Sequence, residues 1–262
     1  MGLRVNHMES TASPVVSIRN LDVRFTRADG SPVKALNGLS LDIAPGEFLC
    51  VLGRSGHGKT TLLNVIAGLI PASEGELRVM DSPVTGPGID RGVIFQRDAV
   101  YPWMRVQDNV TFGLMVRGVA KDQRLRVAND WIAQVGLASV ARAWPRELSG
   151  GMRARVAIAS VFANDPPILL ADEPFSSLDY VTKRQLHSVL RDLWRRSGKT
   201  ILFVTHDVDE ALMLGTRVIV VSHGAIAEDR AVNLPIPRTD DDLATPEGLS
   251  LRHLLLHHIG LE

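Results

Sequence analysis

Short apolar runs recur along the chain, and their pattern changes from one end to the other. Residues 15–25 and 39–43 alternate between apolar and polar positions, with a turn at 28–32 between them. This alternation predicts antiparallel strands with one face exposed. Later runs are apolar at nearly every position, at 168–171, 200–204 and 217–221. Because helical segments separate these runs, we predict an α/β fold with a mostly parallel sheet and an N-terminal antiparallel β subdomain.

A helical pattern interrupts the strands in the middle of the chain. It begins after residues 92–96, which we interpret as a short buried strand ending at Gln96. Between residues 122 and 135 the apolar positions recur at helical spacing and leave a charged outer face. We therefore predict a helical subdomain, about 99–163, inserted into a domain that spans 14–232.

Neither end of the chain continues the periodic pattern. Residues 1–13 contain no apolar core of signal-peptide length and are predicted to be an N-terminal extension. Prolines and aspartates break the pattern after about residue 230, so we predict that 233–262 is an appended tail. No apolar run approaches the ~20 residues of a membrane-spanning helix. The chain is therefore predicted neither to cross a membrane nor to be exported by the usual signal.

Charge and cysteine content narrow the classes of partner. The 262 residues include 29 Lys+Arg and 29 Asp+Glu, so no net field draws the chain toward nucleic acid or an anionic membrane surface. Cys50 is the one cysteine, which excludes disulfides within the chain and fits a reducing compartment. Any partner must therefore be recognised locally.

A glycine-rich loop joins an apolar strand, 48–52, to a helix that includes residues 62–67. The loop consists of Gly53, Arg54, Ser55, Gly56, His57, Gly58, Lys59, Thr60 and Thr61. It matches the phosphate-loop pattern G-x-x-x-x-G-K-[ST], in which backbone N–H groups face the phosphates. Lys59 is predicted to neutralise charge between the β- and γ-phosphates, and Thr60 to offer a hydroxyl to Mg²⁺. A glycine turn that binds nothing is the alternative, and the complete pattern in its strand–loop–helix context disfavours it.

Two carboxylates follow the apolar run at 168–171, at the strand end where parallel sheets bind ligands. Asp172 suits a second-shell or water-mediated Mg²⁺ contact, and Glu173 suits a general base for an attacking water. Taken alone, such a pair is more often the start of a solvated loop. The phosphate loop upstream favours the catalytic interpretation.

Ser149, Gly150 and Gly151 open a further predicted helix. The serine could be an ordinary N-cap. The bare N–H groups and the hydroxyl also make this helix start an anion site. The pattern alone does not decide between the two.

These motifs occur in one order along the chain: phosphate loop, Gln96, Leu148-Ser149-Gly150-Gly151, Asp172-Glu173-Pro174, Ser177-Leu178-Asp179 and His206. In that order they resemble the nucleotide-binding subunits of ATP-binding cassette transporters, and the resemblance covers roughly residues 15–230. The Ser-Gly-Gly signature distinguishes this family from kinases, GTPases and helicases, which share the phosphate loop but lack the signature. The resemblance implies a P-loop NTPase core that hydrolyses ATP with Mg²⁺.

The resemblance also implies roles for single residues. Gln96 would contact Mg²⁺ and the attacking water and sense a transmembrane partner, and His206 would hold the γ-phosphate. Phe25 would stack on adenine, with a plain core phenylalanine as the alternative. His57 stands where a small residue is common, and the sequence leaves open whether its ring faces the nucleotide or solvent.

In this family one chain does not contain a complete site. By resemblance, Ser149, Gly150 and Gly151 would bind the γ-phosphate of ATP held by the other subunit of a homodimer, and Asp179 would organise the opposite site across the interface. The helical insertion is where the family docks on its membrane-embedded partners.

The stretch from Phe95 to Trp103 is similar to importer ATPases of the nitrate, sulfonate and taurine group, although ordinary packing could also explain Trp103. We therefore expect a peripheral subunit at the cytoplasmic face of the inner membrane. It would work beneath two transmembrane permease subunits, indirectly served by a solute-binding protein, with no nucleic-acid partner.

A soluble cassette ATPase acting on nucleic acid or ribosomes is the alternative. It would usually carry a second cassette, a coiled-coil insertion or a basic extension. Glu173 and His206 disfavour a third reading, a regulatory module that does not hydrolyse ATP.

Overall fold

The structure, a computed structural model, describes residues 13–27, 29–96 and 100–260. These residues form an α/β fold with two sheets, which confirms the predicted class. The predicted N-terminal extension lies outside the described residues except for residue 13. The start of the predicted helical subdomain, residue 99, lies outside them as well. No helix in the described part of the chain is long and apolar enough to cross a membrane.

The smaller sheet is antiparallel and has the order β2-β1-β4-β5. Its strands are β1 (Val16–Thr26), β2 (Pro32–Ile43), β4 (Glu74–Val79) and β5 (Ser82–Pro83). The alternation read from the sequence becomes one buried and one exposed face; Ile18 and Leu41, for example, pair across β1 and β2 inside the core. The expected antiparallel subdomain is therefore present.

The larger sheet has the order β10-β9-β3-β8-β7-β6. Its strands are β3 (Phe48–Leu52), β6 (Arg91–Ile94), β7 (Ile168–Asp172), β8 (Thr200–Thr205), β9 (Arg217–Ser222) and β10 (Ala225–Ala231). Neighbouring strands are parallel except β9 and β10. Every residue of β3, β7 and β8 is buried, which explains their continuous apolar runs.

Strand β6 differs from its sequence interpretation. It lies at the sheet edge with β7 as its one neighbour, and Ile94 is its one buried residue. The strand ends at Ile94, so Gln96 follows it by two residues in the loop. An apolar run of this length does not distinguish a central strand from an edge strand.

Helix α1 (Lys59–Ile66) begins directly at the phosphate loop. Between β6 and β7 the described residues form α2 (Val106–Val116), α3 (Lys121–Gln134) and α4 (Gly150–Ala163), with short 3-10 helices at Ala138–Val140 and Pro145–Glu147. Ala128 and Ile132 of α3 are buried at helical spacing. Helices α5 (Tyr180–Ser197) and α6 (Val208–Leu214) follow β7 and β8.

The segment predicted as an appended tail packs on the core instead. It contains α7 (Asp240–Leu243) and α8 (Pro246–His258). Leu255 and Ile259 join the same hydrophobic cluster as Phe48 and Phe203. Prolines interrupt the periodic pattern, but they do not prevent the helix that follows from burying apolar residues.

Candidate nucleotide-binding and hydrolysis site

The phosphate loop follows β3 and depends on glycine at two close contacts. Gly53 has φ +156°, and a Cβ there would lie 2.3 Å from the carbonyl oxygen of Val221. Gly58 has φ +102°, and a Cβ there would lie 2.5 Å from the carbonyl oxygen of Ala35. Since these neighbours are backbone atoms, a side chain at either position would displace the loop from the sheet.

Lys59 is buried inside the loop at 5% exposure. Its Nζ donates to the carbonyl oxygens of Gly53 at 2.7 Å and Arg54 at 3.1 Å, and it lies 3.8 Å from Oε1 of Glu173. Burial lowers the pKa of Lys59, while Glu173 and Asp172 oppose that shift. The ammonium is thus held at the centre of the loop, where a phosphate oxygen could replace the carbonyl acceptors.

Thr60 and Asp172 form an oxygen-rich pair beside the loop. The Thr60 hydroxyl donates to Oδ1 of Asp172 at 3.1 Å. Burial raises the pKa of Asp172, and the Thr60 hydrogen bond opposes that shift. Hydroxyl and carboxylate oxygens are ligands that Mg²⁺ accepts together with substrate phosphates, so the residues present fit this cation.

Glu173 follows β7 and is the point at which the predicted catalytic residues meet. Its Oε2 accepts a hydrogen bond from Nε2 of Gln96 at 3.3 Å and lies 2.9 Å from Nδ1 of His206. Its φ of +42° is in the left-handed region, which a residue with a side chain adopts at a cost. The surrounding contacts thus hold the carboxylate in a conformation that local preference alone would not select.

A cleft of about 400 Å³ lies over these groups. Its lining from the predicted set is Ser55, Gly56, Gly58, Lys59, Thr60, Thr61, Gln96 and Glu173. The sequence interpretation missed five further residues, Val33, Lys34, Ala35, His223 and Gly224. They come from β2 and from the turn between β9 and β10. No motif identifies these positions, because only the folding of the two sheets against each other brings them to the loop.

Phe25 is exposed on β1, next to a residue that lines this cleft. It is 40% exposed, and it pairs with Val33 in the β1–β2 register. A plain core phenylalanine would be buried, so this exposure disfavours that alternative. The ring is exposed on the strand beside a residue that lines the cleft.

His57 faces the turn between β9 and β10. Its ring centroid lies 4.7 Å from that of His223, and its backbone carbonyl accepts from the N–H of Gly224 at 3.1 Å. Burial lowers the pKa of His57, and the positive charges of His223, Arg54 and Lys59 lower it further.

The Ser-Gly-Gly motif lies at the start of α4, away from the cleft. Ser149 is the N-cap, and its Oγ accepts from the N–H of Met152 at 3.3 Å. A Cβ at Gly150 would lie 2.8 Å from Cδ2 of Leu178, and one at Gly151 would lie 2.4 Å from Cγ2 of Thr182. The two glycines therefore allow the start of α4 to pack against the start of α5.

Asp179 caps α5 in the same region. Its carboxylate accepts from the N–H of Thr182 at 3.0 Å and from the Thr182 hydroxyl at 2.7 Å. These bonds lower the pKa of Asp179. Of the described residues that line the cleft, none belongs to the Ser-Gly-Gly motif, and Asp179 is not among them either. The structure thus brings the phosphate loop, Gln96, Asp172, Glu173 and His206 together. Ser149, Gly150, Gly151 and Asp179 lie outside that cleft, and Gly150 lines a neighbouring cavity with Gln96.

Comparison with known proteins identifies the family of the chain. The family model described as "ABC transporter" matches residues 36–176. The nitrate import ATP-binding protein of Synechocystis sp. is 46% identical over 222 residues, which cover 84% of this chain and 83% of the relative. The taurine import ATP-binding protein of Roseobacter denitrificans is 44% identical over 207 residues, or 79% and 77% of the two chains.

A solved structure is similar in fold as well. It is a dimeric post-hydrolysis state of an ATP-binding cassette bound to ADP and Pi, with a TM-score of 0.75 and 30% identity over 83% of this chain and 99% of that chain. The resemblance drawn from the ordered motifs is confirmed, and the chain belongs to the ABC transporter family as one of its ATP-hydrolysing subunits.

Proposed function

We propose that this ATPase powers a membrane importer for a small solute such as nitrate, a sulfonate or taurine, and that Glu173 is its general base. The observation that carries the catalytic assignment is the position of the Glu173 carboxylate. It lies at the cleft, between Lys59 on the phosphate-loop side and Gln96 and His206 on the other. That position suits a base acting on a water that approaches the γ-phosphate.

Each neighbour has a part in this reaction. The loop N–H groups and Lys59 bind the phosphates, the Lys59 ammonium exchanging its carbonyl acceptors for phosphate oxygens. Thr60 and Asp172 would hold Mg²⁺, which would supply positive charge to the bound phosphates. Glu173 accepts the proton of the attacking water, Gln96 orients that water, and His206 contacts the γ-phosphate.

The active unit is a homodimer. Ser149 and Asp179 are exposed on a surface outside the cleft of their own chain. A capped helix start with free N–H groups binds an anion well. We place the γ-phosphate of ATP from a second subunit at this helix start. The similar cassette that is dimeric with bound ADP and Pi supports a dimeric active unit.

An apolar groove of about 510 Å³ supports a membrane-embedded partner. It lies between β6, α2 and α4, and its lining includes Ile89, Tyr101 and Val116, of which Ile89 is 80% and Val116 70% exposed. Trp103, next to Tyr101, is 68% exposed. Several exposed apolar side chains on one surface mark an interaction site.

Two permease subunits would dock on this groove, which makes the chain peripheral at the cytoplasmic face of the inner membrane. The names of the nitrate and taurine import relatives support an importer, which in our proposal is fed by a solute-binding protein.

The decisive experiment is Glu173→Gln with Lys59→Ala as its control. Glu173→Gln keeps the loop and should bind MgATP, but its turnover should fall about 10²- to 10⁴-fold because an amide accepts no proton from water. It should also elute as an ATP-bound dimer in size-exclusion chromatography. Lys59→Ala should lose nucleotide affinity itself, since it removes a charge from the phosphates. Turnover close to wild type in Glu173→Gln would contradict the assignment.

A further inference from the structure

A buried polar cluster lies outside the cleft, where β8, α5 and α6 meet. It consists of Thr205, Glu210 and His187, which are 1%, 6% and 5% exposed. The Thr205 hydroxyl donates to Oε2 of Glu210 at 2.5 Å, and Oε1 of Glu210 lies 2.7 Å from Nε2 of His187. Both carboxylate oxygens are therefore used, and the three side chains form one continuous chain of hydrogen bonds.

One end of the cluster fixes the backbone on both sides of His206. Thr205 is the last residue of β8, and its hydroxyl also accepts from the N–H of Asp207 at 3.0 Å. The residues before and after His206 are thus tied to each other and to Glu210. From that position Nδ1 of His206 reaches Glu173 at 2.9 Å. Since a bonded network in a water-free interior is rigid, it can hold a side chain on the neighbouring residue.

The other end of the cluster touches two further segments of the site. The His187 ring lies 5.7 Å from the ring of Phe175, two residues after Glu173. His187 also belongs to α5, the helix capped by Asp179. The cluster therefore connects three segments: the one with the general base, the one with His206 and the one at the proposed dimer interface.

The bond with Glu210 explains why position 187 has a histidine and not an apolar residue. Nδ1 of His187 is buried and has no hydrogen-bond partner among the described residues. A buried polar atom without a partner is unfavourable, and an apolar side chain would avoid it. The single bond from Nε2 is what an apolar residue could not supply. Nε2 of His187 supplies this bond to the Glu210 carboxylate, and Nδ1 has no partner among the described residues.

We propose that Thr205, Glu210 and His187 are positioning residues that hold His206 against Glu173 and couple it to the helix that starts at Asp179. The inference rests on the role proposed for His206. Its consequence is that the cluster affects the hydrolysis step and leaves nucleotide affinity, which the phosphate loop supplies, nearly unchanged.

Two matched pairs of substitutions test this. Thr205→Val removes the hydroxyl at nearly constant volume, and Thr205→Ser keeps it; His187→Leu removes the bond to Glu210, and His187→Gln can retain it. The full chain is assayed for steady-state hydrolysis of MgATP, with the melting temperature measured in parallel. Thr205→Val and His187→Leu should each lower kcat about tenfold, the equivalent of one buried hydrogen bond. KM should change less than about twofold. Thr205→Ser and His187→Gln should recover most of the lost kcat.

A double-mutant cycle with His206→Ala separates positioning from general stability. If the cluster acts through His206, Thr205→Val should cost almost nothing further in the His206→Ala background, measured with radiolabelled ATP. An equal loss of kcat in both backgrounds would overturn the inference, as would an unchanged kcat with only a lowered melting temperature. Unchanged kcat in His206→Ala would overturn it together with the role of His206. The Glu173→Gln experiment tests the base independently, so the two failures are distinguishable.

Discussion

Replacing Arg238 by methionine tests whether the C-terminal segment is part of the folded core. The guanidinium is 3% exposed and lies in the segment before α7. It donates to the backbone carbonyls of Leu212 at 2.6 Å, Gly215 at 2.5 Å and Val232 at 2.9 Å. These bonds join the segment to the end of α6 and to the residue that follows β10. A longer bond runs from Nε to the carbonyl of Leu234 at 3.4 Å. Arg238→Met keeps an unbranched stem but removes the donors to all four carbonyls.

Two opposing terms set the expected magnitude. A hydrogen bond from a charged group contributes about 1.5–3 kcal/mol, so three contribute roughly 5–9 kcal/mol. Burial lowers the pKa of Arg238 to about 10, a desolvation cost of roughly 3.5 kcal/mol at ~1.4 kcal/mol per pKa step. Ordering a long side chain costs a similar amount for arginine and methionine, so it cancels in the comparison. A net loss of about 2–5 kcal/mol in the free energy of unfolding is expected.

The assay is urea unfolding of the nucleotide-free chain, followed by far-UV circular dichroism. Arg252→Gln is the matched control, because Arg252 pairs with Asp209 at 2.9 Å with both side chains about half exposed. Such a pair contributes less than about 1 kcal/mol. Replacing buried charges by apolar residues stabilises some proteins, so Arg238→Met could also raise the free energy of unfolding. An Arg238→Met chain as stable as wild type would refute the view that carbonyl ligation anchors this segment.

Two further predictions concern the surface and pH. Trp103→Ala should leave ATP binding by the isolated subunit intact but reduce assembly with the permease or transport, since Trp103 is exposed; unaffected assembly and transport would show that it only packs locally. The folded-state pKa of His57 is below 6.5 because of burial, His223, Arg54 and Lys59. The unfolded chain therefore binds this proton first as pH falls, and stability is lost below about pH 6.5. The melting temperatures of wild type and His57→Ser are compared at about pH 7.5 and about pH 5.5. The melting temperature of His57→Ser relative to wild type should be higher at the lower pH; the same difference at both pH values would contradict the shift.

The sequence predicted best those parts of the site that are encoded locally. The phosphate loop is one continuous stretch whose glycines and lysine are needed at fixed spacing, and Asp172 and Glu173 directly follow an apolar strand. The meeting of Glu173 with His206 follows from β7 and β8 being adjacent parallel strands, which an α/β pattern makes probable but does not specify. Whether the remaining predicted residues have their assigned roles stays a prediction.

The parts that the sequence did not predict depend on contacts between distant segments. Lys34 and His223 reach the cleft because β2 and the β9–β10 turn pack beside the phosphate loop. The half-exposed edge position of β6 depends on strand order, which apolarity does not encode. Arg238 stands in a proline-rich stretch with no periodic apolar pattern to indicate burial, and the carbonyls at the end of α6 make its burial possible.

Helix α5 gives a physical route from subunit association to hydrolysis. Its cap, Asp179, is held by Thr182, and the methyl group of Thr182 occupies the space that a side chain at Gly151 would need. The start of the helix therefore packs directly against the Ser-Gly-Gly surface proposed to bind the partner's ATP. His187 lies eight residues after Asp179, which is about 12 Å along a helix axis, so one helix joins that surface to the buried cluster. Because His187 is bonded to Glu210 beside His206, ATP that closes the interface would also set the position of His206. Substitutions along α5 should then change association and turnover together, whereas substitutions in the phosphate loop should act first on nucleotide affinity.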